Sequence, residues 1–297
     1  MSLYALFYVI LQKQKERQQM IKLIADSGST KTDWCLVDEW KVIKRISGQG
    51  INPYQQQTDE ISRILKNEVA DRLGGLVRVD GIRFYGAGCR DEMTDVMADL
   101  LRRSFPDAVS VEVCSDMVGA ARALFGSSEG IACILGTGAN SCVYDGRDIV
   151  ANVPPLGFIL GDEGSGAVLG RLFVNALFKG HLSDFLREDF LKESGLSLSE
   201  IIERVYRRPL ANRFLAGMSP FIHRHLDDSS LREIVVGNFR DFFSRNVSRY
   251  GRSDLPLGAV GGMAYYYENE LREAAGAEGY TVSVILKSPI DGLVLNS

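Results

Sequence analysis

The segment Asp26-Ser27-Gly28-Ser29-Thr30-Lys31-Thr32-Asp33 lies between two apolar runs, Ile21 to Ala25 and Trp34 to Val37. A glycine turn joining two strands can leave backbone N–H groups facing an anion, and phosphate suits such a turn. Walker-type and dinucleotide loops feed a helix instead. Lys31-Thr32 matches the end of a Walker motif, but Thr30 stands where that motif needs glycine. A second strand–turn–strand unit follows later: Ile131 to Leu135, then Gly136-Thr137-Gly138-Ala139-Asn140, then Ser141 to Tyr144. Two glycine turns in matching context predict two phosphate cradles, although either one alone reads as an ordinary hairpin.

The chemistry that suits such turns is phosphoryl transfer, which asks a protein for positioning and charge neutralisation. Gly28, Ser29, Thr30, Lys31 and Thr32 form one candidate cradle, and Gly136, Thr137 and Gly138 the other. Asp26 is placed to bind Mg²⁺ through water, since that ion keeps much of its hydration shell. Asp116 follows a predicted strand and can accept the proton of an attacking hydroxyl. Its bland alternative is a helix N-cap. Asn52, in Gly50-Ile51-Asn52-Pro53, can bond a sugar hydroxyl or simply make a turn. Asp162, in Gly161-Asp-Glu-Gly-Ser-Gly166, can meet substrate or metal, or cap the next helix. Gly261-Gly262 suits close approach of an adenosine, and helix–sheet packing explains it nearly as well.

These residues need elements to position them. Both glycine turns lead through a second strand into an acidic turn, Asp38-Glu39 or Asp145-Gly146, and a third strand; Asp-Gly is a strong hairpin signal. A helix is expected from Asp59 to Leu73, a strand from Gly81 to Tyr85 ending at Gly86-Ala87-Gly88, and a helix from Asp91 to Ser104. A strand at Ser110 to Cys114 precedes Asp116. Helices follow at Ala167 to Phe178 and throughout Leu182 to Ser253. Strands at Leu257 to Val260 and Val282 to Leu286 come next, and Ser288-Pro289 caps a final turn. Strands alternating with helices predict an α/β fold with a mostly parallel sheet, and ligands bind such sheets beyond the carboxyl ends of strands. The duplicated unit predicts two related halves with a cleft between them.

Composition narrows the partners. With 45% hydrophobic and 24% charged residues the chain has the balance of a soluble globular protein. A net charge of −4 without a basic stripe argues against nucleic acid, and Arg204, Arg207 and Arg208 read as a solvated helix face. Leu3 to Leu11 is too short to span a bilayer, so no membrane partner is expected. Residues 1–19 read as an extension before Met20. The five cysteines have neither C-x-x-C spacing nor a zinc pattern. Cys35, Cys133 and Cys142 read as core residues in a reducing, cytoplasmic compartment. His223 and His225 read as surface residues.

Taken in order, these motifs resemble the BadF/BadG/BcrA/BcrD ATPase family and, within it, the N-acetylglucosamine kinases of the actin/Hsp70/sugar-kinase superfamily. The resemblance runs from about Ile21 to the end. It implies two ribonuclease-H-like domains, residues 1–117 and 118–297, around an ATP cleft, the second carrying a helical insertion. It also implies that Asp116 is the catalytic base, that Asn52 and Asp162 contact sugar, that Gly28 and Gly136 begin phosphate loops, and that Gly261-Gly262 is the adenosine loop. Residues after Ser288 are implied to pack on the first domain, and a homodimer is compatible with the family. Ser27 and Ala139 depart from the usual glycine and serine. The implied activity is ATP-dependent phosphorylation of an amino sugar, N-acetylglucosamine foremost. The alternative is an ATPase activator of a CoA-ester reductase or dehydratase, which requires accessible cysteines for an iron–sulfur cluster. A filament or chaperone module would need an added domain that the chain lacks.

Overall fold

The computed structural model describes residues 20–28, 30–39, 41–74 and 78–296. The chain divides into two compact units, the first reaching Asp116 and the second spanning Met117–Asn296. Residues 1–19 and Ser29 lie outside the described residues.

The first unit is built on β1 (Ile21–Ser27), β2 (Lys31–Asp38), β3 (Lys41–Gln49), β4 (Gly81–Gly86) and β5 (Ser110–Ser115). They form one sheet in the order β3-β2-β1-β4-β5. β1, β2 and β3 pair antiparallel, whereas β4 and β5 run parallel to β1. The sheet is therefore evenly mixed rather than mostly parallel, because each glycine turn folds its chain straight back as a hairpin. A helix α1 opens at Thr58–Ile64, widens to a π-helical stretch at Leu65–Ala70 and closes at Asp71–Leu73. α2 (Glu92–Ser104) follows β4. Ile61, Leu65 and Val69 of α1, with Met97 and Leu101 of α2, pack on Leu23, Trp34 and Phe84 of the sheet. β3 is an edge strand, and α1 serves its polar groups: the Gln49 N–H donates to Glu68 Oε2 at 2.8 Å, and Arg72 Nη1 donates to the Ser47 carbonyl at 2.9 Å.

The unit boundary falls inside α3 (Asp116–Phe125). The second unit repeats the first topology with β6 (Gly130–Leu135), β7 (Ala139–Tyr144), β8 (Ile149–Asn152), β9 (Leu257–Val260) and β10 (Val282–Leu286), ordered β10-β9-β6-β7-β8. The expected hairpin at Asp145-Gly146 forms, with Asp145 Oδ1 accepting the N–H groups of Arg147 and Asp148 at 2.8 and 2.7 Å. α4 (Gly157–Leu160) and α5 (Gly166–Phe178) follow β8.

Between α5 and β9 comes the helical insertion: α6 (Asp184–Ser194), α7 (Leu198–Tyr206), α8 (Ala211–Ala216), α9 (Ser219–Arg224) and α10 (Ser229–Arg245). Phe173, Phe190 and Phe221 meet there with ring centroids 5.1 to 5.8 Å apart. That geometry adds to simple area burial. His223 is exposed, as expected, whereas His225 is half-buried: it stacks on Phe221 and pairs with Asp189. α11 (Gly262–Tyr266) and α12 (Glu268–Ala277) precede β10, and α13 (Ile290–Leu295) closes the chain. The contacts described for α13 and the residue after it are with α3 of the same unit. Gly292 abuts the Ala123 carbonyl, and Asn296 Nδ2 donates to the Arg122 carbonyl at 3.0 Å. Among the described residues no helix is long and apolar enough to cross a membrane.

Candidate functional site

In the first unit the candidate residues gather at the carboxyl ends of three adjacent parallel strands. Ser27, Gly86 and Ser115 stand in register across β1, β4 and β5, so Gly28 and Asp116 each lie one residue beyond the same row. Two strand spacings put those two backbones about 10 Å apart. Half-buried Asp26 stands opposite Asp33 on β2 and Tyr85 on β4. Asp33 pairs with Lys31 at 2.7 Å and also accepts a hydrogen bond from Ser47. Asp116 lies near Cys89: burial, followed by the Asp116 carboxylate and then Cys114, pushes the Cys89 thiol up to about 12.

In the first glycine turn one amide is already engaged. The Gly28 N–H closes the hairpin on the Lys31 carbonyl at 3.0 Å, and the Thr30 carbonyl accepts the Gly50 N–H at 3.2 Å. Thr32 is fully buried, with its hydroxyl 2.6 Å from that of Ser27, so it holds the turn and does not face an anion. Ser27 accepts the Ile51 N–H at 3.0 Å and donates to the Ile51 carbonyl at 2.9 Å. This residue, a departure from the family glycine, therefore ties the loop carrying Asn52 to the end of β1. Asn52 is 8% exposed and its Oδ1 accepts the Tyr54 N–H at 3.0 Å. Gly88 passes so close that a side chain there would collide with that oxygen. A buried serine at a strand end was the available signal for this anchor.

The second unit holds its turn by backbone alone. The first two amides of α5, Gly166 and Ala167, donate to the carbonyls of Gly136 and Thr137 at 2.8 and 3.2 Å. In a trans peptide the N–H points opposite to the C=O. The N–H groups of Thr137 and Gly138 share those two peptides, so both point away from α5, and neither bonds a described residue. Two successive amides aimed the same way make an anion-binding nest. The Gly136 N–H is spent on the Gly138 carbonyl at 2.9 Å.

Asp162 stands beside this nest. Its Oδ2 lies 3.0 Å from where a side chain on Gly138 would begin. Burial, aided by the Glu163 charge, lifts its carboxyl from 3.8 to about 6, against the opposing pull of the Gly157 and Ala139 amides. Glu163 itself turns to Asn246 at 3.3 Å and Arg245 at 3.8 Å. The following Gly164 N–H donates at 2.9 Å to Asn238, a side chain 1% exposed that also donates to the Ser165 carbonyl. Asn238 sits on the apolar face of α10 with Leu231, Val235, Phe239 and Phe242. A polar residue at core spacing is the mark by which sequence reading could have found it. Gly261 follows β9, where any side chain would strike the Leu135 carbonyl, so the glycine is required by packing at the end of β6. Gly262 has open space at its Cβ position, with nothing closer than 3.9 Å.

A solved structure from Porphyromonas gingivalis, described as a "putative N-acetylglucosamine kinase", matches this fold with a TM-score of 0.91. It is 51% identical, over 92% of this chain and 97% of its own. The chain belongs to that N-acetylglucosamine kinase-like family. A protein described in the same words from Chromobacterium violaceum shares the fold with a TM-score of 0.72 at 16% identity, covering 93% of this chain and 98% of its own. The ethanolamine utilization protein EutJ from Carboxydothermus hydrogenoformans does so at 0.53 and 15%, covering 93% and 90%. The fold is thus the actin-like ATPase fold that the motif order implied. No family model and no curated protein matches the sequence.

Proposed function

We propose that this chain is an ATP-dependent kinase that phosphorylates a hydroxyl of an amino sugar, N-acetylglucosamine foremost. The observation that carries the reading is the nest at Thr137 and Gly138, whose two parallel amides stand beside the Asp162 carboxylate. One feature is suited to phosphate and the other to a sugar hydroxyl. Kinship with the Porphyromonas gingivalis protein supports the same substrate.

In this reading the nest holds phosphate oxygens of ATP, and Lys31, exposed at the first turn, adds positive charge there. Asp116 accepts the proton of the sugar hydroxyl as its oxygen bonds the γ-phosphorus and the bond to ADP breaks. Asn52 and Asp162 hold the sugar, and Gly262 leaves room for the adenosine. The donor set fits Mg²⁺: Asp26 offers a carboxylate, and no group of three metal-binding side chains stands among the described residues, so water would complete the shell. Bound there, the ion would neutralise phosphate charge. Four of the five cysteines are buried, which favours the kinase over an activator that shares an iron–sulfur cluster.

An ADP-release screen across hexoses, N-acetylhexosamines and glycerol tests the reading. Turnover should depend on an acylated amino sugar, and sugar-independent ATP hydrolysis alone would refute it.

A further inference from the structure

Two loops of the first unit meet at Asn52 and leave polar and aromatic groups turned to solvent there. A side chain on Gly88, in the loop between β4 and α2, would strike the Asn52 oxygen and begin 3.2 Å from the Tyr54 Cβ. Gly88 thus seats its loop directly on the segment that carries Asn52 and Tyr54. It comes two residues after Gly86, which stands in register with Ser115, the neighbour of Asp116. Both loops therefore lie at the strand ends where the candidate base sits.

Asn52 is 8% exposed, and its Oδ1 is fixed by the Tyr54 N–H at 3.0 Å. Its Nδ2 bonds no described residue and yet is not sealed from solvent. A side chain enclosed to this degree ordinarily uses its polar groups, so this donor is held open. Beside it the Tyr54 ring is 68% exposed and takes no part in the core of the unit. The Arg90 guanidinium lies over that ring, 5.5 Å from its centroid, which is cation–π range. It makes no hydrogen bond or ion pair with a described residue. Asp91, the next residue, is held at φ 51° and ψ −136°. Strain of that kind persists where the surroundings impose it, and it clusters at ligand clamps. A single exposed aromatic needs no explanation. A ring overlaid by an unpaired cation, next to an unspent amide, does.

We propose that Tyr54 and Arg90 form the outer wall of the sugar subsite, with Tyr54 stacking on the sugar ring and Arg90 steadying Tyr54 and donating to a hydroxyl at the rim. This rests on the kinase reading above, in which Asn52 holds the sugar. A pyranose presents a face of C–H bonds and a rim of hydroxyls. An aromatic face edged by amide and guanidinium donors complements both. The Asn52 oxygen fixes the backbone of Tyr54 and Arg90 lies on its ring. The wall is thus pre-formed and costs little to order on binding.

Steady-state kinetics of Tyr54→Ala, Tyr54→Phe and Arg90→Ala, varying N-acetylglucosamine and then ATP, test the assignment. Tyr54→Ala should raise the KM for the sugar about tenfold, the scale of one lost aromatic contact, with the KM for ATP unmoved. Tyr54→Phe keeps the ring and should recover most of that loss. Arg90→Ala should raise the sugar KM by a smaller factor. Both side chains are exposed, so thermal midpoints should match the parent, and a Tyr54→Ala protein that misses this mark is replaced by Tyr54→Gln. A parental sugar KM in Tyr54→Ala or Arg90→Ala, a Tyr54→Phe as impaired as Tyr54→Ala, or equal rises for sugar and ATP would overturn the assignment. A parent protein that phosphorylates no amino sugar would instead bring down the kinase reading, and this inference with it.

Discussion

The two units share one strand topology, three antiparallel strands followed by two that run parallel to the first, yet they secure their glycine turns by different means. In the first unit a side chain does it: the Ser27 hydroxyl bridges both polar groups of Ile51 and meets Thr32. In the second, the opening amides of α5 grip two loop carbonyls and turn the Thr137 and Gly138 N–H groups outward. The side-chain solution can be removed by one substitution. The backbone solution cannot, and it leaves two successive amides turned away from α5. On the reading proposed above, the second turn offers a pre-formed pair of amides to phosphate, while the first carries the mount for Asn52.

The largest expected effect comes from the strand-end carboxylate of the first unit. Asp116→Asn should lower sugar-dependent turnover by about 10²- to 10⁴-fold, the range for a general base, with ATP affinity by calorimetry intact. Retained turnover would take Asp116 out of that role.

A matched pair of glycine substitutions sharpens the contrast between turns. Gly138→Val crowds both the nest and Asp162, whose oxygen is 3.0 Å from the new Cβ, and should weaken ATP binding at least tenfold. Gly28→Ala meets nothing nearer than the Lys31 carbonyl at 3.8 Å and should change ATP affinity much less. Equal effects would erase the distinction drawn between them.

Removing the side-chain anchor comes next. Ser27→Ala should cost about 1 to 3 kcal/mol in chemical denaturation, since it strips partners from the buried Ile51 peptide groups, and it should raise the KM for sugar through Asn52. A stability loss with KM unmoved would mean that Asn52 holds its place without Ser27.

The smallest effect is a pH dependence confined to the second unit. Asp162 titrates near 6 in the fold against 3.8 ordinarily, mainly because it is buried. The native state then binds more protons than the unfolded chain between these values, so stability falls as pH rises from about 4 to 6. Asp162→Asn removes that penalty: its thermal midpoint should exceed the parent's above pH 6, and the gap should close towards pH 4. Sugar affinity of the parent should fall on acidification through about 6, where the carboxylate loses its charge. A pH-independent gap would assign the effect to packing.

Much of this was legible in the sequence because it was local. Apolar runs interrupted by Gly28 and Gly136 marked hairpins, and Asp145-Gly146 marked the next turn. The alternation of elements marked an α/β fold, although the antiparallel hairpins made each sheet evenly mixed. Interactions between distant segments were not legible. Nothing in the spacing joins α5 to the carbonyls of Gly136 and Thr137, because backbone bonds leave no residue signature. Thr32 departs from its expected place in the cradle because strand alternation decides which face a hydroxyl takes, and here it faces Ser27 inside the protein.

The side chains of α1 that reach the outermost strand of the first sheet have a consequence for self-association. An uncovered sheet margin is a template on which a foreign chain can grow. With Glu68 holding the Gln49 amide and Arg72 the Ser47 oxygen, one donor and one acceptor at the end of that margin are already engaged. Lys41, Lys44 and Arg45 add like charge along the rest of it. Fibril-like stacking along this border is thereby discouraged by the same helix that fills the interior.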